Sequence, residues 1–342
     1  MGFPGKLKTH LPTALYRRRF PIYVVAPPYN PRSGGIRVMH LLIQSLTRLG
    51  YDAYGLTPPP AGATSRIRYV GRYIYIRAKH ALQRRKVIAV YPEGIAGNPI
   101  NAPFVLRYLL NKPGYLVPGV ELSFGPDDLY LTFDSDHVPS GRHAFDLFWP
   151  LVDRTIYYPP PSGTVRQGFA IFTNRKRPDL AQLPAWLAPY VVLSMEKPRS
   201  HGELADIYRR SVAMVTYERS AAIYEALCCG CPVICIPDGP FTESTYQCRF
   251  NGAGQVWGWQ NEQLSQAVAD IERFESQYRD LERTLDKRIC AAFDTAIALF
   301  RQRTTGAADH CRSGSALRPH ALGGIDDLKR DPSGSPFDAR RS

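Results

Sequence analysis

The chain has 342 residues, 44% of them hydrophobic, which is enough to bury the cores of two globular domains. It contains no run of about 20 apolar residues, so the sequence predicts no membrane-spanning helix. Its seven cysteines are odd in number, and four of them lie within positions 228–235, which does not suit a disulfide framework. We therefore expect a protein of a reducing compartment, the cytoplasm.

The net charge of +13 is concentrated at the front of the chain. Residues 1–92 contain 16 of the 43 Lys and Arg residues and a single acidic residue, Asp52. Such a region attracts an anionic partner: a nucleic acid, a phosphorylated substrate or an acidic membrane surface. Within it, residues 64–86 carry eight basic side chains and no acid, interleaved with Tyr and Ile. We interpret this segment as a contact for an anionic membrane surface, with single-stranded nucleic acid as the alternative.

The first half begins with the pattern of a parallel α/β sheet. An apolar run ended by prolines is followed by a loop with two glycines, an amphipathic helix closed by Gly50, and a short apolar run. Strand, glycine loop, helix and strand in this order open such a sheet. These elements are predicted at residues 21–29, 30–35, 36–49 and 51–56, followed by strands at 86–94 and 128–133 and a helix at 104–114 stopped by Pro113.

A proline-rich stretch then precedes a second set of βα units. The patterns predict strands at 169–176, 190–195, 212–217 and 232–237, and helices at 201–211 and 221–229. From Leu264 to Phe300 the apolar residues recur with a mean spacing of 3.6, which indicates a long α-helix.

The expected fold class is therefore α/β, with two Rossmann-like parallel-sheet domains facing a cleft and a long C-terminal helical segment. The expected divisions are a basic arm (1–19), a first Rossmann-like domain (20–156), a linker (157–167), a second Rossmann-like domain (168–262), C-terminal helices (263–302) and a disordered tail (303–342).

The stretch "YERSAAIYEALCCGCPVICIPDG" at residues 217–239 carries the chemistry. Glu218 follows a predicted strand, and Ser220 suits the N-cap of the next helix. Glu225 is not explained as a cap, and its helical neighbours three and four positions away are all small. Its carboxylate could accept two hydrogen bonds from a diol, and the helix N-terminus beside it favours phosphate. Together these predict a site for a ribose and its diphosphate; a solvent-exposed glutamate is the alternative.

The motif "YERSAAIYEALCCGCPVI" resembles the donor-binding signature of GT-B glycosyltransferases, particularly the retaining GT4-like group. The front segment "PPYNPRSGGIRVMHLLIQSLTRLGYDAYG" resembles that family's glycine loop and first helix, and the resemblance covers roughly residues 20 to 300. One departure is that six residues, not seven, separate Glu218 from Glu225. The matching positions of the signature are Glu225, Ala226, Cys229, Gly230, Pro232 and Val233.

The resemblance implies a role for each site residue. Glu225 would bind the ribose hydroxyls, and Glu218 would lie near the sugar as the catalytic residue. Gly34 and Gly35 would let the backbone of the first, acceptor-side domain approach the diphosphate. The remaining donor-binding positions are the cations Arg175, Lys176 and Lys197, which would stabilise the leaving diphosphate, and Ser220, Ala221 and Ala222 at the helix N-terminus. No metal and no cofactor is expected.

By this resemblance we expect a hexosyltransferase-like enzyme of surface polysaccharide biosynthesis. It would transfer a sugar from a nucleotide-diphosphate sugar to a glycan or lipid-linked acceptor, with retention of configuration. The expected partners are these substrates and an anionic membrane surface, without nucleic acid, and the expected place is the cytoplasm, peripheral on the inner face of the cell membrane. Two alternatives stay open: a nucleic-acid-binding protein that uses the basic front half, and a catalytically inactive GT-B partner subunit.

Other polar residues are weaker candidates. Cys228 and Cys231 form a C-x-x-C pair at the end of a helix, which we interpret as small buried residues in a turn rather than a zinc or redox site. Glu93, His137 and His143 follow predicted strand ends and could line the cleft.

Overall fold

The computed structural model describes residues 17, 19–31, 33–56, 74–173, 178–194, 196–238, 242–247 and 249–303, and the backbone of residues 304–313. The chain divides into two compact units, residues 1–299 and 300–342, and both sheets belong to the first. Most of the predicted basic arm, part of the basic segment at 64–86 and the predicted tail beyond residue 313 lie outside the described residues. At residues 303–313, which the sequence analysis assigned to the disordered tail, the backbone continues the last helix.

The first lobe is built on a six-stranded parallel sheet in the order β2-β1-β3-β4-β5-β6. Its first helix connects β1 to β2, and a second helical stretch precedes β3. The elements are β1 (Ile22–Val25), α1 (Gly34–Arg48), β2 (Ala53–Leu56), α2 (residues 74–82), β3 (Ile88–Pro92), β4 (Phe104–Leu109), β5 (Leu129–Thr132) and β6 (Ala144–Asp146).

The second lobe has a five-stranded parallel sheet in the order β11-β10-β9-β7-β8. The elements are β7 (Phe169–Thr173), β8 (Tyr190–Ser194), α3 (His201–Arg210), β9 (Ala213–Thr216), α4 (Ala221–Cys228), β10 (Val233–Cys235), α5 (Glu243–Gln247), β11 (Gln255–Trp257) and α6 (Leu264–Ser313). The predicted fold class, two Rossmann-like parallel sheets with a long C-terminal helix, is confirmed.

Both sheets change direction after their second strand. The first strand of each sheet, β1 or β7, lies between the second and the third strand. The second and third strands are therefore added on opposite sides of the first. In open α/β sheets this switch point forms a crevice at the carboxyl ends of the strands, where ligands bind. A ligand site is therefore expected at the loops that follow β1 and β3 in the first lobe and β7 and β9 in the second.

The glycines predicted to end helices do so in the structure. Gly50 follows α1 with φ +87°, and Gly230 follows α4 with φ +67°, a conformation that side chains rarely adopt. At the N-terminus of α3, Ser200 and Glu203 form a reciprocal capping box. These local signals are the reason that three helix ends lie close to where the sequence places them.

The helix predicted at residues 104–114 is wrong, because Phe104–Leu109 is the buried strand β4. A run of six apolar or amphipathic residues has no period that separates a helix from a strand covered on both faces. Arg107 is tolerated there because its Nε donates to Asp128 (2.8 Å) and its Nη1 to the Ile95 carbonyl (2.7 Å). The strands β6 and β11 and the short helix α5 were not predicted.

Aromatic packing joins the two lobes. Phe148, which follows β6, lies with its ring centroid 5.3 Å from Tyr224 of α4, 5.7 Å from Phe250 and 6.1 Å from Tyr278 of α6. Phe148 is fully buried in the core cluster of the second lobe, so the segment that follows β6 packs into that core. Among the helices of the described residues, none is both long enough and apolar enough to cross a bilayer.

Candidate functional site

The N-termini of α1 and α4 meet at the boundary between the lobes. A Cβ built on Gly34 would lie 3.9 Å from the Cβ of Ala221 and 3.6 Å from Leu151 Cδ1. The helix α1 begins at Gly34, so the two glycines form its first turn rather than the predicted loop at 30–35. A Cβ on Gly35 would be 3.6 Å from Leu110 Cδ1. The structure therefore brings together Gly34 and Ala221, which the sequence placed in different domains.

Both helix starts follow strands at the switch points. α1 follows β1, and α4 follows β9 after a short segment that contains Glu218 and Ser220. The free backbone N–H groups and the positive dipole end of each helix favour an anion in this place.

Glu225 lies one turn into α4 and is partly buried, and the loss of hydration raises its pKa to about 7. The charge of Arg37 and a hydrogen bond from Tyr157 act in the opposite direction, because both stabilise the carboxylate. The Tyr157 hydroxyl also lies 2.7 Å from Nδ1 of His201. One arrangement satisfies both contacts: His201 donates to the Tyr157 oxygen, and Tyr157 donates to Glu225.

A second tyrosine lies close to the same carboxylate. Tyr208 of α3 is fully buried, and the charge of Glu225 adds to the effect of burial in raising the pKa of its hydroxyl. Among the described residues, this hydroxyl is buried without a hydrogen-bond partner. Glu225 therefore faces polar groups of other elements, whereas the sequence showed only its small neighbours on α4.

Arg37 was missed by the sequence analysis. It lies in the first turn of α1, and its Nη2 donates to the Leu151 carbonyl (3.1 Å). A cation is unfavourable near a helix N-terminus, so its presence there indicates a tertiary or ligand partner for the charge. The position of Arg37 in the first turn of a predicted helix was the only sequence feature that could have identified it.

Ser220 occupies the N-cap position of α4, but its side chain makes no capping hydrogen bond, contrary to the prediction. Its Oγ is buried and has no hydrogen-bond partner among the described residues. Ala221 and Ala222 follow it in the first turn, and Ala222 is buried. The first turn of α4 therefore lies at the boundary between the lobes without a capping hydrogen bond from the Ser220 side chain.

Glu218 is 3% exposed and lies two residues after the end of β9. Its backbone is held by Thr216, whose Oγ1 donates to the Glu218 carbonyl (2.9 Å) and accepts from its N–H (3.3 Å). Its catalytic role stays a prediction.

The predicted diphosphate cations are only partly visible. Arg175 and Lys176 lie outside the described residues. Lys197 is exposed in the turn after β8, where its backbone N–H donates to Ser194 Oγ (3.4 Å). It shares the carboxyl edge of the second sheet with α4, and its role also stays a prediction.

Ion pairs tie the lobes together beside this boundary. Arg219, immediately before Ser220, pairs with Asp134 and with Asp136 (2.7 Å) of the first lobe. Arg249 pairs with Asp134 (3.0 Å) and Asp146 (2.6 Å). Asp134 is 1% exposed, so its charge is compensated by two guanidinium groups of the other lobe.

Three potential metal-ligand atoms of Asp134, Asp136 and His137 lie within 4.8 Å of one another. The two carboxylates are already paired with Arg219, and burial lowers the pKa of His137, whose Nδ1 lies 3.3 Å from the Leu109 carbonyl. The charges of this cluster are therefore balanced by arginine.

Glu93 lies at the carboxyl end of β3, on the switch point of the first lobe. It is 6% exposed, burial raises its pKa to about 7, and its Oε2 accepts from the Leu110 N–H (3.0 Å). Because Leu110 packs beside Gly35, this carboxyl group supports the start of α1.

Comparisons with known proteins give likenesses only at the level of structure. No protein-family model matches the sequence, and no curated protein matches it. An O-GlcNAc transferase mutant from Thermobaculum terrenum is similar at 14% identity, over 91% of this chain and 72% of that one, with a TM-score of 0.43. A putative UDP-N-acetylglucosamine 2-epimerase from Listeria monocytogenes is similar at 11% identity, over 89% and 100%, with a TM-score of 0.40.

A third similar structure is WaaG, a glycosyltransferase involved in lipopolysaccharide biosynthesis, at 10% identity over 81% of this chain and 98% of that one, with a TM-score of 0.39. Glycosyltransferases are thus among the structures to which this chain is similar. At these identities and TM-scores the likeness assigns no activity.

Proposed function

We propose that this chain is a glycosyltransferase that transfers a hexose from a nucleotide-diphosphate sugar to a glycan or lipid-linked acceptor, with retention and without a metal. The observation that supports it best is the meeting of α1 and α4 at Gly34 and Ala221, with Glu225 and Arg37 beside the contact. This arrangement offers an anion site and a diol site within one helical turn of each other.

The anion site is suited to a diphosphate. Two helix N-termini present backbone N–H groups and positive dipole ends, and Arg37 adds a full charge. The Ser220 hydroxyl, which has no hydrogen-bond partner among the described residues, can donate to a phosphate oxygen. In transfer, the leaving diphosphate gains negative charge, and donors held in place by the fold stabilise that charge in the transition state.

The diol site is the carboxyl group of Glu225. As a carboxylate it accepts hydrogen bonds from both hydroxyls of a ribose. The Tyr208 hydroxyl, which has no hydrogen-bond partner among the described residues, lies nearby. Since the pKa of Glu225 is raised to about 7, ribose binding to its carboxylate and loss of its proton favour each other. Nucleotide affinity should therefore depend on pH near 7.

We further propose that the acceptor is part of a surface polysaccharide pathway and that the enzyme works on the inner face of the cell membrane. The exposed side of α2 supports a membrane contact: Ile74, Tyr75 and Leu82 are 58%, 68% and 86% exposed. Basic residues Arg77 and Lys79 lie between them. An apolar and basic helix surface suits anionic headgroups, where each cation contributes about 1 kcal/mol.

The test is calorimetric titration with UDP, GDP and dTDP, followed by turnover assays with the matching sugar donors. We expect one diphosphate to bind selectively and Glu225→Ala to remove that binding. Glu272→Ala, an exposed glutamate of α6, is the control for loss of an acidic charge. Unchanged nucleotide affinity in Glu225→Ala contradicts the diol role.

The inactive partner subunit remains the second candidate, because Glu218 is 3% exposed and the spacing to Glu225 is one residue short of the family pattern. Nucleotide binding without turnover favours it. Tight, salt-dependent binding of an oligonucleotide, with no response to nucleotides, favours the nucleic-acid alternative instead.

A further inference from the structure

Two cavities lie on either side of Arg249, away from Glu225. One, of about 780 Å³, is bounded by the turn at residues 249–251 and by α6, and the other, of about 410 Å³, by the carboxyl ends of β5 and β6. We name the pair the arginine groove, because Arg249 lines both cavities and three more arginines line one or the other: Arg142, Arg279 and Arg283. Two acidic residues line the groove as well, Asp280 in the larger cavity and Asp146 in the smaller one.

We propose that the arginine groove binds an acidic oligosaccharide, as the anchoring site for the non-reacting part of the acceptor. The role as an acceptor site rests on the proposed function, whereas the binding itself does not.

The arginines of α6 are available to a ligand. Arg279 pairs with Glu275 (2.7 Å) and Arg283 with Asp280 (2.7 Å), but the arginine side chains are 69% and 80% exposed. Ion pairs this exposed contribute little to stability, so either guanidinium can turn toward a bound carboxylate at small cost. Its planar pair of donors matches a carboxylate bidentately.

The wall between the cavities is rigid. Arg249 is held by the buried Asp134 and by Asp146, so it shapes the groove rather than moving to a ligand. The adjoining Phe250 and Asn251 have φ of +61° and +49°, a left-handed conformation that bulky side chains rarely adopt. Packing of Phe250 against Phe274 (4.9 Å between ring centroids) keeps this strained turn in place.

An unpartnered acceptor points to a hydroxyl-bearing ligand. Gln277 lines the larger cavity, and its Oε1 is buried without a hydrogen-bond partner among the described residues. A buried acceptor of this kind calls for a donor, which a sugar hydroxyl supplies and an ionised carboxylate does not. Ser276 and Asn251 add further polar groups to the same cavity.

The groove is poorly suited to nucleic acid. Binding of single strands depends on aromatic side chains on which bases stack. Among the described residues that line the groove, Phe250 has the only six-membered aromatic ring, and it is 7% exposed because it packs into the core. An acidic oligosaccharide needs charge and hydrogen bonds instead, and the groove offers both.

The experiment is calorimetric titration, without nucleotide, of a hexagalacturonate and of maltohexaose, a neutral chain of equal length. We expect the uronate to bind roughly tenfold or more tightly than maltohexaose and to weaken as salt rises. Arg283→Ala should weaken it about fivefold or more, and Gln277→Leu about threefold, since each loses one contact. Arg273→Ala is the matched control, because Arg273 makes the same i,i+3 pair with Asp270 but does not line the groove.

Several results overturn the proposal: equal affinity for the neutral chain, equal losses in Arg273→Ala and Arg283→Ala, or no effect of Arg283→Ala in a variant whose circular dichroism is unchanged. Tighter binding of inorganic tripolyphosphate or of a 12-mer oligonucleotide at the same residues overturns the assignment to a sugar. UDP titration of the same preparation separates the two proposals. Uronate binding without nucleotide binding contradicts the proposed function alone, and the reverse contradicts the groove alone.

Discussion

Gly34 and Ala221 start helices of different lobes and face each other, with 3.9 Å between the Cβ of Ala221 and the position of a Cβ on Gly34. Gly34 has no positive φ, so its backbone does not require glycine. What the position requires is space, since Leu151 Cδ1 bounds it on a second side at 3.6 Å. The absence of a side chain therefore keeps the two helix N-termini close.

This relationship predicts a graded response to substitution at Gly34. Gly34→Ala adds only ordinary contacts and should leave nucleotide affinity within about twofold of the original. Gly34→Leu must enter the space between the helix starts and should weaken nucleotide binding roughly tenfold or more, by calorimetry. Gly202→Leu is the matched control, because Gly202 lies in the first turn of α3 with nothing within 4 Å of its Cβ position. Equal losses in Gly34→Leu and Gly202→Leu would contradict this explanation.

The raised pKa of Glu225 predicts pH-dependent binding. Nucleotide affinity should rise with pH through about 7, because only the carboxylate accepts both ribose hydroxyls. Glu225→Gln should bind more weakly and lose that pH dependence. The measurement is nucleotide affinity between pH 5.5 and 8.5, and an unchanged profile in Glu225→Gln speaks against the assignment.

The same shift predicts an effect on folding stability with the opposite sign. The folded state holds the Glu225 proton up to about pH 7, whereas the unfolded chain releases it near the ordinary value of 4.5. Stability relative to a glutamine variant should therefore be greatest at low pH and fall as pH rises from about 4.5 to 7, by about 1–3 kcal/mol. Urea denaturation of both proteins at pH 5 and pH 8 measures this difference, and a constant difference contradicts the buried carboxyl.

The hydrogen bond from Tyr157 affects the pH at which Glu225 loses its proton. Its hydrogen bond to Glu225 stabilises the carboxylate, so Tyr157→Phe should raise the pKa of Glu225 and move the pH profile of nucleotide binding upward. Tyr158→Phe is the control at the next position, where the side chain is 48% exposed and the ring that contacts Arg209 is retained. An equal shift of the pH profile in Tyr157→Phe and Tyr158→Phe would contradict this role of the Tyr157 hydroxyl.

The interlobe ion pairs predict unequal costs for arginine substitutions. Arg219→Ala leaves Asp134, which is 1% exposed, with one guanidinium partner fewer and should lower the free energy of unfolding by about 2–4 kcal/mol. Arg273→Ala removes an exposed pair and should cost at most about 0.5 kcal/mol. Chemical denaturation compares the two, and similar costs would show that the buried pair carries no special weight.

Much of the fold could be predicted from the sequence because its signals are local. The apolar runs of β1, β3, β5 and β9, and the glycines after α1 and α4, act within a few residues of themselves. The strand β4 could not be predicted in this way. Whether Phe104–Leu109 becomes a helix or a strand depends on neighbours on both sides, which are β3 and β5.

For the candidate site, the sequence by itself determined that Glu225 lies one turn into a helix that follows a strand, with small residues on its own helix face. It could not show Arg37, Tyr157 or Tyr208 around that carboxyl group, because they come from α1, the segment before β7, and α3. Only the tertiary structure decided that the two helix starts meet and that arginines of one lobe neutralise aspartates of the other. Spacing along a chain determines local geometry, whereas burial, pKa and ion pairing depend on which distant elements pack together.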